Sequence, residues 1–175
     1  MDSKFIIKKA CSIYASNFHF ATMIFPFVCR ELNKSTTIRT ILETDIQPNI
    51  FKIIENIGLN INEKNKIKEI DWRQSSGEKI KTILELLEKD LDNKENVDLI
   101  ICGTNIFIKK VNKVLDLWVK NNIQRLDTSK CRIKIINCYS FEQNKEFGEI
   151  INTYDYVLKT NGLEEVFREH LKEAN

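Results

Sequence analysis

The sequence predicts an α/β protein: a three-layer sandwich in which helices cover both faces of a mainly parallel, five-stranded sheet, with a further helix at the C-terminus. Short β-branched runs alternate along the chain with longer stretches whose apolar residues recur three and four positions apart, which is the pattern of such folds. The chain has 175 residues, of which 42% are hydrophobic, enough to bury one core. We therefore expect a single domain over residues 1–175, with its core at about 10–160.

The first predicted strand covers residues 10–14, and Ser16 or Asn17 can cap the helix that follows it. That helix carries apolar residues at helical spacing. Pro26 lies inside it, and because proline removes a backbone hydrogen bond, we expect the helix to be bent or split there. The next run, 36–42, is rich in threonine and isoleucine and predicts the second strand.

The middle of the chain predicts a helix, a loop, an edge strand and a second helix. The first helix begins near Pro48 and ends at Gly58, since proline suits a first turn and glycine a C-terminus. Residues 60–66 are polar and predict a loop. Residues 67–72 alternate apolar and charged side chains and predict a strand near an edge of the sheet. A helix with a clear apolar stripe is expected at 75–91.

The second half of the chain contains the most apolar strand candidate, 97–103, which predicts a central parallel strand covered on both faces. A helix at about 106–121 and a fifth strand at 131–139 follow. Two closing helices are predicted at 145–160 and 163–173. The last one has a single apolar stripe, which suits docking on its own domain or contact with a partner.

Composition and charge argue against several classes of function. The net charge is +2, from 27 Lys and Arg against 25 Asp and Glu, whereas direct nucleic-acid binders present a strongly basic face. The basic run at Lys109, Lys110 and Lys113 is interpreted as a solvated helix face. The N-terminus has no signal-peptide pattern and the longest apolar stretch is too short to span a bilayer, so we expect a soluble, cytoplasmic protein with no membrane partner. The heavy use of Asn, Ile and Lys is typical of an AT-rich bacterial genome.

The five cysteines include no CxxC pair, which predicts neither a disulfide framework nor a zinc site. Most of them lie in apolar runs, and buried thiols are the favoured interpretation over a redox sensor. The two histidines, His19 and His170, have no nucleophile at a spacing that would indicate catalysis. The sequence therefore predicts no catalytic residue, no metal site and no cofactor.

The carboxyl ends of parallel strands are where an open α/β sheet binds its ligands. Each predicted strand end combines hydrogen-bonding groups with an aromatic residue or a glycine, and Arg73 suits an anion. Strand-to-helix turns need caps of the same residue types, so capping alone explains the pattern equally well. The candidate ligand-binding residues are Tyr14, Ser16, Trp72, Arg73, Gly103, Thr104, Asn105 and Tyr139.

Hydrolysis of a nucleoside triphosphate is not predicted. A phosphate-binding loop needs glycines and a lysine immediately after the first strand, and residues 15–20 contain neither. The strand at 97–103 ends in Cys102 and Gly103, where many nucleotide hydrolases have a carboxylate for magnesium. The topology is that of a nucleotide-binding protein, but these groups are missing from it.

Three stretches resemble the MEDS sensory domains, a family named for methanogen and methylotroph proteins and the DcmR repressor. They are residues 11–16, the proline–aromatic segment 24–28, and residues 137–141 with 151–158. The resemblance spans about Ala10 to Leu158. The sequence departs from the family where a histidine usually precedes the first strand, and again at Tyr154. The resemblance implies a RecA-like domain that lacks its phosphate loop and senses signals.

Three functions are consistent with these observations. The first is a non-enzymatic sensory or regulatory domain that binds a small ligand or a regulatory protein, with a homodimer as a possible form. The second is a small enzyme that uses Arg73, Asn105 and Tyr139 on an anionic metabolite. The third is an adaptor in stress or developmental regulation that works through its last helix. An open apolar cleft lined by Tyr14, Trp72, Asn105 and Tyr139 would favour ligand sensing, whereas a filled one would favour the adaptor.

Overall fold

Six strands form one sheet in a computed structural model of the chain, which describes residues 6–141, 147–159 and 161–166. The strands are β1 (Ile6–Tyr14), β2 (Thr37–Leu42), β3 (Val97–Gly103), β4 (Arg132–Ser140), β5 (Tyr156–Lys159) and β6 (Gly162–Glu165). The helices are α1 (Asn17–Asn33), α2 (Gln47–Asn56), α3 (Ile61–Glu69), α4 (Gly77–Asp92), α5 (Asn105–Asn121), α6 (Ile123–Ser129) and α7 (Phe147–Asn152).

The strand order is β2-β3-β4-β1-β5-β6, and all neighbouring pairs are parallel except β5 and β6. β1 therefore lies inside the sheet, between β4 and β5, although it comes first in the chain. The predicted α/β class with a mainly parallel sheet is confirmed. The sheet has six strands in its described part rather than the five that were predicted.

The sheet separates two apolar cores. In β3, Ile100 and Cys102 face the first core, which α1, α2 and α3 cover, while Leu99 and Ile101 face the second, which α4, α5 and α6 cover. All of β3 is buried, which confirms the prediction of a central strand covered on both faces. The order and burial of these elements fix which strand ends lie side by side.

The predicted loop at 60–66 and strand at 67–72 are wrong, because α3 occupies residues 61–66 and the first half of 67–72. Asn60 and Glu63 form a reciprocal capping box, in which each side chain accepts a hydrogen bond from the other residue's backbone N–H. Trp72 then turns into the first core, where its indole N–H donates to the carbonyl of Ile67 at 2.9 Å. The alternating pattern at 67–72 reflects the end of a helix and a buried anchor rather than a strand.

The predicted helix at 145–160 is also wrong in its second half. α7 ends at Asn152, and β5 then pairs with β1 and places Leu158 in the first core. Gly162 has φ +126°, a backbone conformation that glycine adopts easily, and it begins β6. The predicted terminal helix at 163–173 is a strand at its start, and residues 167–173 lie outside the described residues.

α1 runs through Pro26 as one helix, so of the two predicted outcomes, a bend or a split, the split does not occur. The residues on both sides of the proline, Ile24, Phe27 and Val28, are buried in the first core. Their packing holds the two halves together despite the backbone hydrogen bond that proline cannot make. Among the described residues, no helix is both long and apolar enough to cross a membrane.

Candidate functional site

The sheet has a topological switch point between β1 and β4. These strands are neighbours, yet the helices that follow them pack on opposite faces: α1 on the first core, and Ile150 and Ile151 of α7 on the second. In open α/β sheets such a reversal opens a crevice beyond the carboxyl ends of the strands. The ends of β1 and β4, with that of β3 beside them, are therefore the candidate functional site.

Apolar side chains are exposed around this site. Phe18 follows β1, Ile106 follows β3 and Phe141 follows β4, and their exposed fractions are 52%, 66% and 58%. The ring of Phe141 also stacks on Phe147, with centroids 5.1 Å apart. We call Phe18, Ile106 and Phe141 the edge patch. Because β3, β4 and β1 are consecutive in the sheet, the patch spans three adjacent strand ends.

The loop after β1 is stabilised by two hydrogen bonds that involve His19. The Ser16 hydroxyl accepts from the backbone N–H of His19 at 3.1 Å, and His19 Nδ1 accepts from the backbone N–H of Ala15 at 2.9 Å. The His19 side chain thus binds the backbone of the residue that precedes the cap of α1. Ser16 acts as the cap of α1, which agrees with the explanation from capping that the sequence left open.

The loop after β3 is fixed by a carboxylate from the neighbouring strand. Glu43, directly after β2, accepts from the backbone N–H of Thr104 at 2.5 Å and from the Thr104 hydroxyl at 3.1 Å. Thr104 also caps α5 by accepting from the N–H of Phe107 at 3.3 Å. Gly103 is required here, because a Cβ atom would lie 2.5 Å from Glu43 Oε2 and 2.7 Å from a ring carbon of Phe107. Asn105 is the first residue of α5 and is half-buried.

Glu43 is absent from the residues predicted as ligand-binding, although it follows a predicted strand. Its position supplies a carboxylate beside the end of β3, where Cys102 and Gly103 have none. Only the sheet order reveals that Glu43 lies beside the end of β3. β2 and β3 are neighbours in the sheet, but their paired positions Thr37 and Val97 are 60 residues apart in the chain. Within the described ranges, no group of three or more His, Cys, Asp or Glu side chains could hold a metal ion.

Tyr14 and Trp72 belong to the first core. Tyr14 is 5% exposed and packs against the ring of Phe20 at a centroid distance of 5.3 Å. Burial raises the pKa of Tyr14, and the neighbouring Cys102 raises it further. Trp72 is fully buried. Both rings therefore pack inside the protein, beneath the strand ends rather than above them.

Tyr139 belongs to the second core, on the opposite face of the sheet. Its hydroxyl lies 2.5 Å from that of Tyr154, which also accepts from the Asn137 side-chain N–H at 2.7 Å. Burial raises the pKa of both tyrosines, so both stay neutral. The buried Asn137 Oδ1 has no hydrogen-bond partner among the described atoms. This network joins the segment between α7 and β5 to β4.

Arg73 lies apart from these groups and is already ion-paired. Its guanidinium donates to Asp71 at 2.9 and 3.2 Å, and Lys79 contacts the same carboxylate at 3.0 Å. Hydrogen bonds from Arg73, outweighing desolvation and aided by those from Lys79, hold the pKa of Asp71 well below its usual range. Arg73 is exposed beyond α3 and is not positioned with Asn105 or Tyr139 by any described contact.

The structure thus brings Ser16, Gly103, Thr104 and Asn105 to the carboxyl edge, where they cap helices or pack closely. Tyr14, Trp72, Asn105 and Tyr139 do not line one open cleft, the arrangement that would have favoured ligand sensing over an adaptor. The three rings are buried on two faces of the sheet, and they fill the space beneath the edge.

The cysteines do not add a reactive group to the site. Cys11, Cys102 and Cys138 are buried, as the apolar runs around them predict. Desolvation raises the pKa of Cys102 to about 12 and that of Cys11 to about 11. A thiol with a raised pKa is a poor nucleophile because the thiolate is the reactive form.

A buried charge cluster lies near the amino ends of β3 and β4, far along those strands from the edge patch. Lys134 Nζ is 2.9 Å from Glu31 Oε2 and 3.7 Å from Asp98 Oδ1, and Asp98 is 1% exposed. Burial raises the pKa of Asp98 to about 7, because the attraction of Lys134 does not offset desolvation. Burial alone would also raise the pKa of Glu31, but hydrogen bonds from Lys134 and Lys34 lower it to about 2.

No protein-family model matches this chain. No curated protein shows significant similarity to it.

Proposed function

We propose that this chain is a non-enzymatic regulatory domain that acts by binding a protein partner at the carboxyl edge of its sheet. The observation that carries the proposal is the difference between the engaged and the exposed side chains at the switch point. The polar and aromatic groups that could bind a small molecule make internal contacts, whereas Phe18, Ile106 and Phe141 are exposed. Exposed apolar residues grouped on a surface are typical of protein contacts.

The contacts of the polar groups argue against catalysis at this edge. Glu43 is held by two hydrogen bonds to Thr104, and Tyr139 is paired with Tyr154 in the core. Arg73 is bound to Asp71 and lies away from both. A catalytic group must reach its substrate at hydrogen-bond distance, and these groups are engaged elsewhere. The resemblance to the MEDS domains supports the same conclusion, since it implies sensing without hydrolysis.

The experiment that tests this proposal is site-specific photo-crosslinking in cells that produce the full chain. A benzophenone amino acid replaces Phe18 or Phe141, and the matched control carries it at Lys81, which is exposed on α4. We expect positions 18 and 141 to form an adduct with one other protein, and position 81 not to do so. An adduct with a second copy of this chain, or one with the mass of a small molecule, would contradict binding of a regulatory protein.

Sensing of a small anion is the second candidate. α1 begins at the switch point, its first turn has no acidic residue, and residues 15–17 are exposed. Anions are attracted to such helix ends. If this candidate is correct, inorganic phosphate or a nucleotide raises the melting temperature of the chain. Asn17→Asp should abolish that shift by charge repulsion without lowering the stability of the unliganded protein. No shift with either anion would reject this candidate.

A further inference from the structure

α5 has two apolar faces. Ile108, Val111, Leu115 and Trp118 are buried in the second core. On the outer side, Ile106, Val114 and Leu117 have exposed fractions of 66%, 44% and 60%. A helix on the surface of an α/β sandwich normally has polar side chains on its outer face. The outer face of α5 therefore presents apolar surface that the described part of the chain does not cover.

The same outer face carries an excess of positive charge. Lys109, Lys110, Lys113 and Lys120 are exposed, and none of them has an ion-pair partner among the described residues. The acidic residue of this helix, Asp116, is bound to Lys9 of β1 at 3.2 Å. The interpretation of the basic run as a simple solvated face does not explain why large apolar residues alternate with these lysines.

The lysines and the apolar residues lie on one ridge. Positions 106, 110, 113 and 117 are separated by four, three and four residues, which places them within an arc of about 60° on an α-helix. Ile106 and Leu117 mark the two ends of this ridge, about 16 Å apart along the axis. Lys110 and Lys113 lie between them. Val114 adds apolar surface at the side of the ridge.

We infer that the outer face of α5 binds an amphipathic helix of the partner protein, with apolar residues against Ile106 and Leu117 and acidic residues against Lys110 and Lys113. Opposite charges that face each other across an interface determine which partner is accepted. This inference rests on the proposed function and adds the chemistry of the partner. Ile106 belongs to the edge patch, so the two surfaces are continuous.

Charge and spacing favour this occupant over two others. If a second copy of the chain bound here through the same face, the lysines of the two α5 helices would lie against each other. Like charges in contact oppose binding. An anionic membrane would accept lysines that flank the apolar stripe of a helix. Here Lys110 and Lys113 lie within the ridge itself, so their side chains would have to extend sideways to keep both ammonium groups in water while Ile106 and Leu117 are immersed.

The test uses two labelled helical peptides of about 20 residues with leucine at the a and d positions of a heptad repeat. One peptide has glutamate at the e and g positions and the other has lysine. Binding to the full chain is measured by fluorescence anisotropy at low salt. The variant is Lys110→Glu/Lys113→Glu. The matched control is Lys81→Glu/Lys89→Glu, which makes the same change of net charge on exposed positions of α4.

We expect the acidic peptide to bind at least about tenfold more tightly than the basic peptide, and the α5 variant to lose that preference. The control variant should bind within about twofold of the natural chain, because scattered surface charges contribute little. Binding that is equal for both peptides, absent for both, or equally weakened by both variants would overturn the inference. So would α5-dependent binding to vesicles of anionic phospholipid without binding to the acidic peptide.

The crosslinks at positions 18 and 141 separate this inference from the proposed function. They depend on the edge patch and do not involve Lys110 or Lys113. If a protein partner is crosslinked there and the acidic peptide fails to bind, the chemistry assigned to α5 is wrong and the regulatory function stands. If crosslinking fails as well, the proposed function is contradicted.

Discussion

Replacement of Lys134 by methionine should destabilise the protein strongly, because it removes the cation from a buried charge cluster. Lys134 Nζ lies 2.9 Å from Glu31 Oε2, and Glu31 is 3% exposed. Among the described residues, the side-chain partners left to Glu31 after this change are Lys34, which is largely exposed, Thr36 and the buried Asp98. The methionine fills the volume of the lysine stem, so the loss is mainly electrostatic.

The magnitude follows from the burial of the pair. Removal of one partner of a buried ion pair costs about 3–5 kcal/mol, since the remaining charge is desolvated without compensation. A domain of this kind has a free energy of unfolding of about 5–15 kcal/mol. At this chain length, 1 kcal/mol changes the melting temperature by about 2–4 °C. We therefore expect the melting temperature of the Lys134→Met variant to fall by roughly 6–20 °C.

The assay is urea denaturation at pH 7, followed by circular dichroism, with thermal melting as a second measurement. The double variant Glu31→Gln/Lys134→Met should recover part of the loss because it removes the carboxylate that Lys134→Met leaves unpaired at position 31. Lys81→Met, at an exposed site on α4, should change the free energy of unfolding by less than about 0.5 kcal/mol. If Lys134→Met costs no more than this control, the cluster does not stabilise the fold as described.

Three further predictions concern pH, close packing and the tyrosine network. The folded-state pKa of Asp98 is about 7, above its unfolded value of about 4, so this group stabilises the fold below about pH 4 and that contribution is lost as the pH rises through 7. Asp98→Asn should remove this loss of stability. Urea denaturation from pH 4.5 to 8 measures it, and we expect the variant to be more stable than the natural chain only at the higher pH values. A pH profile of stability that is the same in both proteins would contradict the raised pKa. Gly103→Ala should lower the free energy of unfolding by about 1–3 kcal/mol because the new Cβ overlaps Glu43. Gly58→Ala is the control, since a Cβ there meets nothing within 4 Å. Equal effects of the two substitutions in urea denaturation would refute the overlap. Tyr154→Phe should lower the free energy of unfolding by about 1–3 kcal/mol, because the buried Tyr139 hydroxyl and Asn137 side-chain amide each lose a partner. No change in the same assay would contradict this role of the Tyr154 hydroxyl.

The arrangement of strands illustrates how far local patterns reach. The apolar run of β3 predicted a buried central strand, and it is buried along its whole length. The alternation at 67–72 predicted a strand and was wrong, because the end of α3 and the buried Trp72 produce the same pattern. The capping box of Asn60 and Glu63 was the sequence signal that could have identified α3.

The C-terminal strands were not predicted because their stability comes from distant partners. β5 has only four residues and is preceded by a short helix, so its local pattern continues the helical spacing. It becomes a strand by pairing with β1, from which it is separated by most of the chain. A four-residue strand gains its backbone hydrogen bonds only when a neighbouring strand is in place.

The candidate site was predicted in its location but not in its contacts. The strand-end rule identified Ser16, Gly103 and Thr104, which the structure brings to the carboxyl edge. The same rule nominated Tyr14 and Tyr139, and it could not show on which face each ring would lie or that both would be buried. A shift of strand register by one residue moves every side chain of the strand to the opposite face of the sheet. A small error in the predicted register therefore changes which core a side chain such as Tyr14 or Tyr139 enters.

The sequence by itself determined the alternation of strands and helices along most of the chain, the apolar character of the central strand and the cap that begins α1, because each depends on residues close together in the chain. The tertiary structure decided which distant residues meet. Glu31, Asp98 and Lys134 form one buried cluster, and Glu43 reaches Thr104, only because the sheet order places their strands and helices side by side. Burial then sets the protonation of these groups, since desolvation depends on the surrounding fold and not on the neighbours in sequence.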